Sequence, residues 1–352
     1  MPRKLLIRTL VGLALILVLG IGGLLRSAYI EHPVLWGETM GTSYRATLTG
    51  KVKRTDLKKV YRAIEMELAE INRQMSTWDP ASEIAQFNQA ETTAPFAASP
   101  GFAAVVARAL ALSAATDGAF DPTLQPLLNL WGFGSEAAER TVPAAADIAA
   151  AKARTGWEKV AIEGDSNLLK SVPELSLNLG AIAKGYGVDA IGTLLDAHGF
   201  ENWFVEIGGE VVVRGLNPKG IPWRIGIQYP STNPMNPRLQ GIVHLSGGAI
   251  ATSGDYRNYI EEDGIVYSHI LDPRTGDTVR SDTASVTVAA PNCMDADGIA
   301  TALFVMGSET GLSWVHKQPG VEALFLVRGA NEEITEKFSS GFIDATDYTQ
   351  SH

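Results

Sequence analysis

The chain has 352 residues, of which 45% are hydrophobic and 19% are charged. This is an ordinary balance for a globular protein with one large core or two moderate ones. The formal net charge is -10, and the sequence contains no long run of lysine and arginine. These features argue against a nucleic-acid-binding surface, because such a surface needs cations to neutralise phosphates.

The N-terminus has the pattern of an export signal. Arg3, Lys4 and Arg8 precede residues 9–25, a run of 17 residues without a charge that Arg26 closes. The run is at the lower limit of what spans a bilayer and slightly long for a signal peptide. The positive flank predicts that the bulk of the chain lies outside the cytoplasmic membrane. The segment 27–29 is a poor cleavage site, so residues 1–28 are expected to be a membrane anchor or signal segment, with a retained anchor favoured.

Cys293 is the single cysteine of the sequence. No intramolecular disulfide can therefore form, although an exported protein meets an oxidising compartment. Cys293 also lies far from the apolar N-terminal run, which excludes it as a lipid-attachment site.

The first half of the chain predicts one strand followed by helices. Residues 40–49 alternate like a strand, and Thr55 is a candidate N-cap for a helix that runs to about Arg73. Residues 101–116 and 142–152 are Ala-rich and predict two more helices. The turn 75–80 and the loop 119–134 are rich in aromatic residues and glycine.

The second half predicts mainly strands. Helices are expected at 188–197, at 297–306 and just after Ser308, whereas strands are expected at 175–179, 202–214 (broken at Gly208-Gly209), 223–229, 241–253, 265–271, 284–290 and 323–327. This order favours an α+β fold with antiparallel sheets covered by helices over a doubly wound parallel sheet.

Asp295, Asp297 and Thr301 lie at the start of an otherwise apolar helical segment. Asp297 and Thr301 are spaced i,i+4, so both oxygens face the same side of a helix and could bind one cation. Hard oxygen ligands favour Mg²⁺ or Ca²⁺ over zinc. The alternative from these residues alone is a helix cap, in which an aspartate accepts from free amides.

Two further segments suit a phosphate ligand. Residues 180–187 hold three glycines and Lys184 between a predicted strand and a helix, although they match neither standard nucleotide motif. Amides at the helix start and the Lys184 ammonium would favour a phosphate there, and the alternative is a tight turn with a surface lysine. His269 ends a predicted strand, where it suits proton transfer or a phosphate contact as well as a structural role.

Four aromatic residues are candidates for apolar walls around a planar ring: Trp78, Phe120, Trp131 and Phe133. Aromatic residues at such positions also serve as ordinary core residues, so both interpretations stay open at this point.

Several short segments, taken in order, resemble the FAD:protein FMN transferase (ApbE) family. They cover about residues 37–330 and are Met40-Gly-Thr, Met75-Ser-Thr-Trp78, Asp117-Gly-Ala-Phe-Asp121-Pro, Asn178-Leu-Gly-Ala181-Ile-Ala-Lys184-Gly, Glu206-Ile-Gly-Gly-Glu, Ser268-His269-Ile-Leu-Asp-Pro and Asp297-Gly-Ile-Ala-Thr301-Ala-Leu. The resemblance implies a Mg²⁺-dependent enzyme that binds FAD and transfers its FMN half to a Thr or Ser hydroxyl of an acceptor protein, with AMP as the leaving group. It also implies a T-fold-like arrangement with FAD in a cleft between two lobes.

The resemblance also assigns residues to roles. It places Mg²⁺ on the Ala181 carbonyl, Asp297 and Thr301, and it places flavin and adenosine contacts at Met40, Trp78, Ala119, Phe120, Asp121, Asn178, Lys184, His269 and Ile270. Many members carry Tyr at the position of Trp78 and Asp at that of Asn178. Stacking is expected to survive the first difference, whereas the second removes a charge.

The expected chemistry follows from these roles. Lys184 and the amides near Gly180 support the FAD pyrophosphate, and an acceptor hydroxyl attacks the FMN phosphorus in line. The candidate general bases are Asp295, Asp297 and His269, with His269 also suited to orienting the phosphate. The alternatives are a Mg²⁺-dependent hydrolase that splits FAD into FMN and AMP, and an exported protein that binds FAD without turnover.

The resemblance places the enzyme on the outer face of the cytoplasmic membrane. Its expected acceptors are subunits of membrane redox complexes, such as the sodium-pumping NADH:quinone reductase or the Rnf complex. The expected organisation is a linker at 29–37, a transferase domain at 38–340 and a tail at 341–352.

Overall fold

The computed structural model describes residues 28–136, 140–231, 238–256, 258–262, 264–330 and 333–351. The apolar run 9–25 lies outside these ranges. Among the helices within them, none is both long enough and apolar enough to cross a bilayer.

The described residues form an α+β fold, which confirms the predicted class. The helices are α1 (Arg54–Met75), α2 (Glu83–Gln89), α3 (Pro100–Ala115), α4 (Gln125–Leu130), α5 (Ala145–Lys152), α6 (Ala183–Ala197), α7 (Cys293–Met306), α8 (Ser308–Val315) and α9 (Phe342–Thr346), with a short 3₁₀ turn at Trp157–Lys159. The strands are β1 (Tyr29–Glu31), β2 (Val34–Thr39), β3 (Thr42–Leu48), β4 (Lys51–Lys53), β5 (Phe96–Ala97), β6 (Val160–Glu163), β7 (Asn167–Lys170), β8 (Trp203–Ile207), β9 (Glu210–Arg214), β10 (Trp223–Gln228), β11 (Leu239–Leu245), β12 (Gly247–Gly254), β13 (Tyr259–Glu262), β14 (Ile265–Ser268), β15 (Thr283–Ala290), β16 (Glu322–Arg328), β17 (Ile334–Phe338) and β18 (Thr349–Gln350).

An eight-stranded antiparallel sheet forms the centre of the fold, in the order β17-β16-β15-β12-β9-β8-β3-β2. Side chains alternate between its two faces, as strand geometry requires. Val205 of β8 and Val212 of β9 face an inner core that the helices cover, whereas Phe204 and Val213 face an outer core. The outer core is covered by β10, β11 and β18.

Helices α1 and α7 follow from different sequence signals. Helix α1 buries Val60, Ile64 and Leu68 on one stripe, as its helical spacing predicts. Helix α7 is buried on nearly every side, and the Asn292 side chain caps it by accepting from the Asp295 amide at 2.8 Å. The alternative of an aspartate cap on α7 is therefore ruled out, and the predicted Thr55 cap is wrong, because α1 begins at Arg54 after Lys53 without a side-chain cap.

Two predicted strands differ in the structure. Residues 175–179 bury Leu175, Leu177 and Leu179 alternately, but they pair with no strand in the described chain. The Asn88 side chain instead accepts from the Leu177 amide and donates to its carbonyl. The single strand expected at 241–253 is two strands in different sheets, β11 and β12, separated at Ser246.

The expected linker and tail are parts of the fold. Residues 29–37 include β1 and most of β2, which pair with β4 and β3. Residues 341–352 include α9 and β18, and β18 pairs with β11. Phe342 is fully buried and Tyr348 is 9% exposed in the outer core. These segments close hydrophobic surfaces, which fastens both ends of the described chain to the domain.

Candidate active site

The first wall of the site is formed by α6 and α7, which pack backbone against backbone. Gly185 permits this approach, because a Cβ at that position would lie only 2.2 Å from the Cys293 carbonyl oxygen. Any larger residue at position 185 would push α7 away from α6.

Hydrogen bonds in both directions fix these two helices. The Asp189 carboxylate of α6 accepts from the Cys293 and Met294 amides of α7, each at 2.8 Å. In return, the Asp297 carboxylate of α7 accepts from the Gly185 amide of α6 at 3.0 Å. Each carboxylate therefore satisfies free amides at the first turn of the other helix, where negative charge is favoured. Burial raises the pKa of Asp189 to about 6, although the two amide bonds oppose that shift.

Lys184 connects two buried carboxylates at this wall. Its Nζ lies 3.3 Å from Asp297 Oδ1 and 3.4 Å from Glu210 Oε1. Burial alone would lower the pKa of the Lys184 ammonium, but the two carboxylates raise it above the ordinary lysine value. Lys184 is therefore a permanent positive charge on the cavity wall.

Glu210 is a site residue to which the sequence assigned no role. Burial raises the pKa of its carboxyl above the ordinary value, against the opposing effect of Lys184. Its second oxygen, Oε2, is buried and finds no hydrogen-bond partner in the described chain. One sequence signal does point to it, because alternation puts Glu210 on the same face of β9 as Val212, which the helices cover.

Hydroxyl groups complete the oxygen-rich part of this wall. Ser253 Oγ of β12 lies 3.1 Å from Thr301 Oγ1 of α7, and both residues line the same cavity as Asp297 and Ala181. Within the described ranges, no three His, Cys, Asp or Glu side chains form a ready-made metal cage. The donors are instead hard oxygens with one orphaned carboxylate oxygen nearby, which fits Mg²⁺ held by few protein ligands and substrate phosphate.

His269 stands on the opposite wall of the cavity, just after β14. Its Nδ1 lies 3.0 Å from the Asn258 carbonyl oxygen, so Nδ1 carries the donated proton and Nε2 is left as the acceptor. Burial lowers the pKa of His269 below the ordinary histidine value, despite the bond to Asn258. The ring of Phe133 meets the imidazole edge to face at 6.3 Å between centroids. The His269 imidazole is therefore oriented by its backbone contact, and the lowered pKa favours its neutral form.

The two walls enclose a cavity of about 410 Å³ between the inner core and a smaller core around Leu127, Trp131 and Tyr267. This placement agrees with the expected cleft between two lobes. The cavity lining includes ten of the predicted site residues, which are Ala119, Phe120, Asp121, Asn178, Ala181, Lys184, His269, Ile270, Asp297 and Thr301.

Three predicted contacts are not on the cavity wall. Met40 occupies a tight turn with a positive φ of 50° and packs towards Gly187 of α6. Trp78 is 72% exposed and lies outside the cavity lining. Trp131 is a core residue whose indole donates to the Gly276 carbonyl at 3.0 Å.

Two other expectations need correction. Asp295 is a poor candidate base, because its carboxylate pairs with Arg108 at 2.5 Å and it does not line the cavity. The Gly180 amide was expected to bind a phosphate, but it already donates a hydrogen bond to Asn178 Oδ1 at 2.8 Å. The Asp121 carboxylate is likewise engaged within the protein, because it accepts hydrogen bonds from the Thr123 and Trp157 amides.

The fold matches that of solved flavin transferases. The flavin transferase ApbE of Vibrio cholerae superposes with a TM-score of 0.81 at 42% identity, covering 89% of this chain and 99% of that one. The apo flavinyl transferase ApbE of Pseudomonas stutzeri has a TM-score of 0.80 at 38% identity, covering 90% and 97%.

Sequence comparison agrees with the structural match. The ApbE family model matches residues 40–325. A FAD:protein FMN transferase of Vibrio cholerae is 44% identical over 329 residues, which cover 92% of this chain and 97% of that protein. Another from Haemophilus influenzae is 37% identical over 319 residues, covering 89% and 91%. The chain belongs to the ApbE family.

Proposed function

We propose that this protein transfers FMN from FAD to a threonine or serine hydroxyl of an acceptor protein, with Mg²⁺ as cofactor and AMP as leaving group. The observation that carries this proposal is the convergence of Asp297, Thr301 and Lys184 on one cavity that His269 faces. The names of the relatives supply FAD as donor and FMN as the transferred group.

Asp297, Thr301 and the Ala181 carbonyl are the groups that would hold Mg²⁺. Bound there, the ion would withdraw charge from the FAD pyrophosphate and favour attack at phosphorus. Lys184 lies beside these residues, and its ammonium adds a fixed positive charge for the phosphate oxygens. The unpartnered Oε2 of Glu210 supports the assignment, because a buried carboxylate oxygen is stabilised by additional positive charge.

His269 is the base that the geometry favours among the three candidates. Asp295 is occupied by Arg108, and Asp297 is occupied by Lys184 and the Gly185 amide. In the transfer step, the acceptor oxygen forms a bond to the FMN phosphorus and its proton passes to His269 Nε2. The bond from phosphorus to the bridging oxygen breaks, and AMP leaves with that oxygen and the electron pair.

The remaining cavity residues supply the flavin and adenosine contacts. Ala119, Phe120 and Ile270 are apolar walls for a planar ring, and Asn178 offers an amide. A contact with Met40 or stacking on Trp78 stays a prediction, because the described cavity does not include either side chain.

The cellular setting is a further part of the proposal. The charged flank Arg3, Lys4 and Arg8 before the apolar run supports a protein held at the cytoplasmic membrane, with this domain on the periplasmic side. That location suits acceptor subunits of membrane redox complexes, of the NADH:quinone reductase or Rnf type.

The direct test incubates the protein with FAD, Mg²⁺ and a candidate acceptor subunit, and then measures covalent flavin by gel fluorescence and intact mass. The expected product is an acceptor heavier by one FMN, with AMP released in equal amount. Release of FMN and AMP without covalent product would support the hydrolase instead. FAD recovered unchanged would support a binding protein and contradict both enzymes.

A further inference from the structure

A second hollow, of about 430 Å³, lies on the surface far along α6 from the active site. We call it the N-terminal hollow. Its lining includes Lys51 and Lys53 of β4, Lys59 of α1, Tyr29 of β1 and His198, which follows the end of α6. Strand β1 pairs with β4, so the first described strand of the chain forms part of this surface.

The charge of this surface is opposite to that of the whole chain. Lys51 and Lys53 are exposed on either side of the buried Val52, so both extend from the same face of the ribbon. The acidic neighbours are Asp56, 4.0 Å from Lys59, and Glu31, which is opposite Lys51 across the ribbon. Cations therefore outnumber anions here, although the whole chain carries a net charge of -10.

The sequence places this surface next to the apolar N-terminal run. Residue 25, the last of the run, is four residues before Tyr29, which lines the hollow. Four residues span at most about 14 Å. In physiological salt, electrostatic attraction persists over about 8 Å. The headgroup region itself extends several ångströms beyond the hydrocarbon core, which shortens the gap to be spanned. If the run is in the bilayer, as the proposed location requires, the lysines of the hollow are within reach of the lipid headgroups.

We propose that the N-terminal hollow docks on anionic phospholipid headgroups at the membrane surface. The Lys51, Lys53 and Lys59 ammonium groups contact lipid phosphates, and Tyr29, which is 36% exposed, lies at the interfacial level that tyrosine favours. This docking restricts rotation of the domain about its tether, which a flexible anchor alone would permit.

The docking also sets the distance between the membrane and the active site. Helix α6 connects the two, because Lys184 lies at its start and His198 follows its end. A helix rises about 1.5 Å per residue, so the separation along α6 is about 21 Å. The cavity would therefore lie within about 21 Å of the headgroups along this helix, and an acceptor hydroxyl must enter that zone.

The test uses the full chain reconstituted into phosphatidylcholine vesicles with or without phosphatidylglycerol. Lysines are acylated with a water-soluble ester and quantified by mass spectrometry. We expect Lys51, Lys53 and Lys59 to react several-fold more slowly on the anionic vesicles, whereas Lys219 and Lys317, exposed elsewhere, react equally on both. High salt should remove the difference, because it screens charges at the surface.

A double variant, Lys51→Gln with Lys53→Gln, tests whether the charges act together. It should remove the lipid-dependent protection of Lys59, whereas the matched double variant Lys219→Gln with Lys317→Gln should retain it. Equal protection on neutral and anionic vesicles would show shielding by the tether alone and overturn the docking. Failure of the full chain to sediment with neutral vesicles would overturn the anchor and the docking together. FMN transfer to a soluble acceptor, measured in the same preparation, tests the proposed function separately.

Discussion

The two walls of the active-site cavity are built in different ways. The helical wall has Asp297, Lys184 and Glu210 on regular elements, and its charged groups are fixed by hydrogen bonds between α6 and α7. The opposite wall combines loop segments and one side of α4 with a hairpin end, where His269 is oriented by one backbone carbonyl. If the proposed roles hold, the phosphate chemistry uses a frame fixed by regular elements, whereas the proposed flavin and acceptor contacts lie on segments of the kind that more often vary between relatives.

The largest expected effect is that of removing the proposed metal ligand on the helical wall. We expect Asp297→Asn to lower kcat/KM for FMN transfer about 1000-fold, equivalent to ~4 kcal/mol, because the proposed cation loses its carboxylate. We also expect Mg²⁺ to raise the Tm of the unaltered protein, EDTA to reverse that rise, and the variant to show neither effect. The matched control is Asp295→Asn, two residues away on the same helix, for which a change within about threefold is expected because Arg108 is its partner. Full activity of Asp297→Asn would refute the assignment.

Crowding the contact between α6 and α7 should destabilise the same wall. Gly185→Ala puts a methyl group against the Cys293 carbonyl, so we expect the free energy of unfolding to fall by about 3 kcal/mol. Gly247→Ala is the control, because a Cβ there meets no atom within 4 Å and the expected change is below about 1 kcal/mol. Urea denaturation measures both, and equal stabilities would contradict the close packing.

The opposite wall is tested through its base. We expect His269→Gln to lower kcat about 100-fold, whereas His244→Gln on β11 should have little effect, because it lies outside the cavity. The neutral form of His269 acts as the base, so kcat/KM should fall as pH falls through its pKa. Burial lowers that pKa, so the midpoint should lie below the ordinary histidine value of about 6.5. A midpoint above that value, or an acid limb retained in His269→Gln, would rule out this role.

The smallest effect is expected from weakening the hydrogen bonds between the Asp189 carboxylate of α6 and the first turn of α7. Asp189→Asn should raise the Mg²⁺ concentration for half-maximal activity about tenfold, because the first turn of α7 positions Asp297. Asp196→Asn is the control on the same helix, since Asp196 pairs with Arg214 and Trp203 away from the cavity. A structural role alone would lower the stability of both variants and leave the Mg²⁺ dependence of both unchanged.

The sequence was sufficient to predict the elements with strong periodicity. Helix α1 follows from the spacing of its apolar side chains, whereas α7 follows from a continuous apolar run on which the i,i+4 spacing puts Asp297 and Thr301 on one face. The strand expected at 175–179 has the right alternation, but Asn88 and Lys170 side chains take its backbone groups. Alternation of apolar residues shows that one face of a segment is buried, but it does not show which groups bond to the backbone. A strand and an extended segment held by side chains therefore give the same pattern.

The pairing of charges was harder to predict. Asp295 and Asp297 look alike in the sequence, yet one pairs with Arg108 and the other with Lys184. Only the packing of α3 and α6 on opposite sides of α7 separates them. Glu210 was missed because its partners are distant along the chain, although strand alternation places it on the helix-covered face.

Lys184 has a consequence for how loss-of-function variants are interpreted. Asp297 and Glu210 are 3% and 4% exposed, and the ammonium of Lys184 lies between them. Removing it leaves two buried anions without their counterion, which typically costs 3–5 kcal/mol (about a third or more of the stability of an average domain). An inactive Lys184→Met preparation could therefore be inactive because less of it is folded. The folded fraction must be measured before the lost activity is assigned to chemistry.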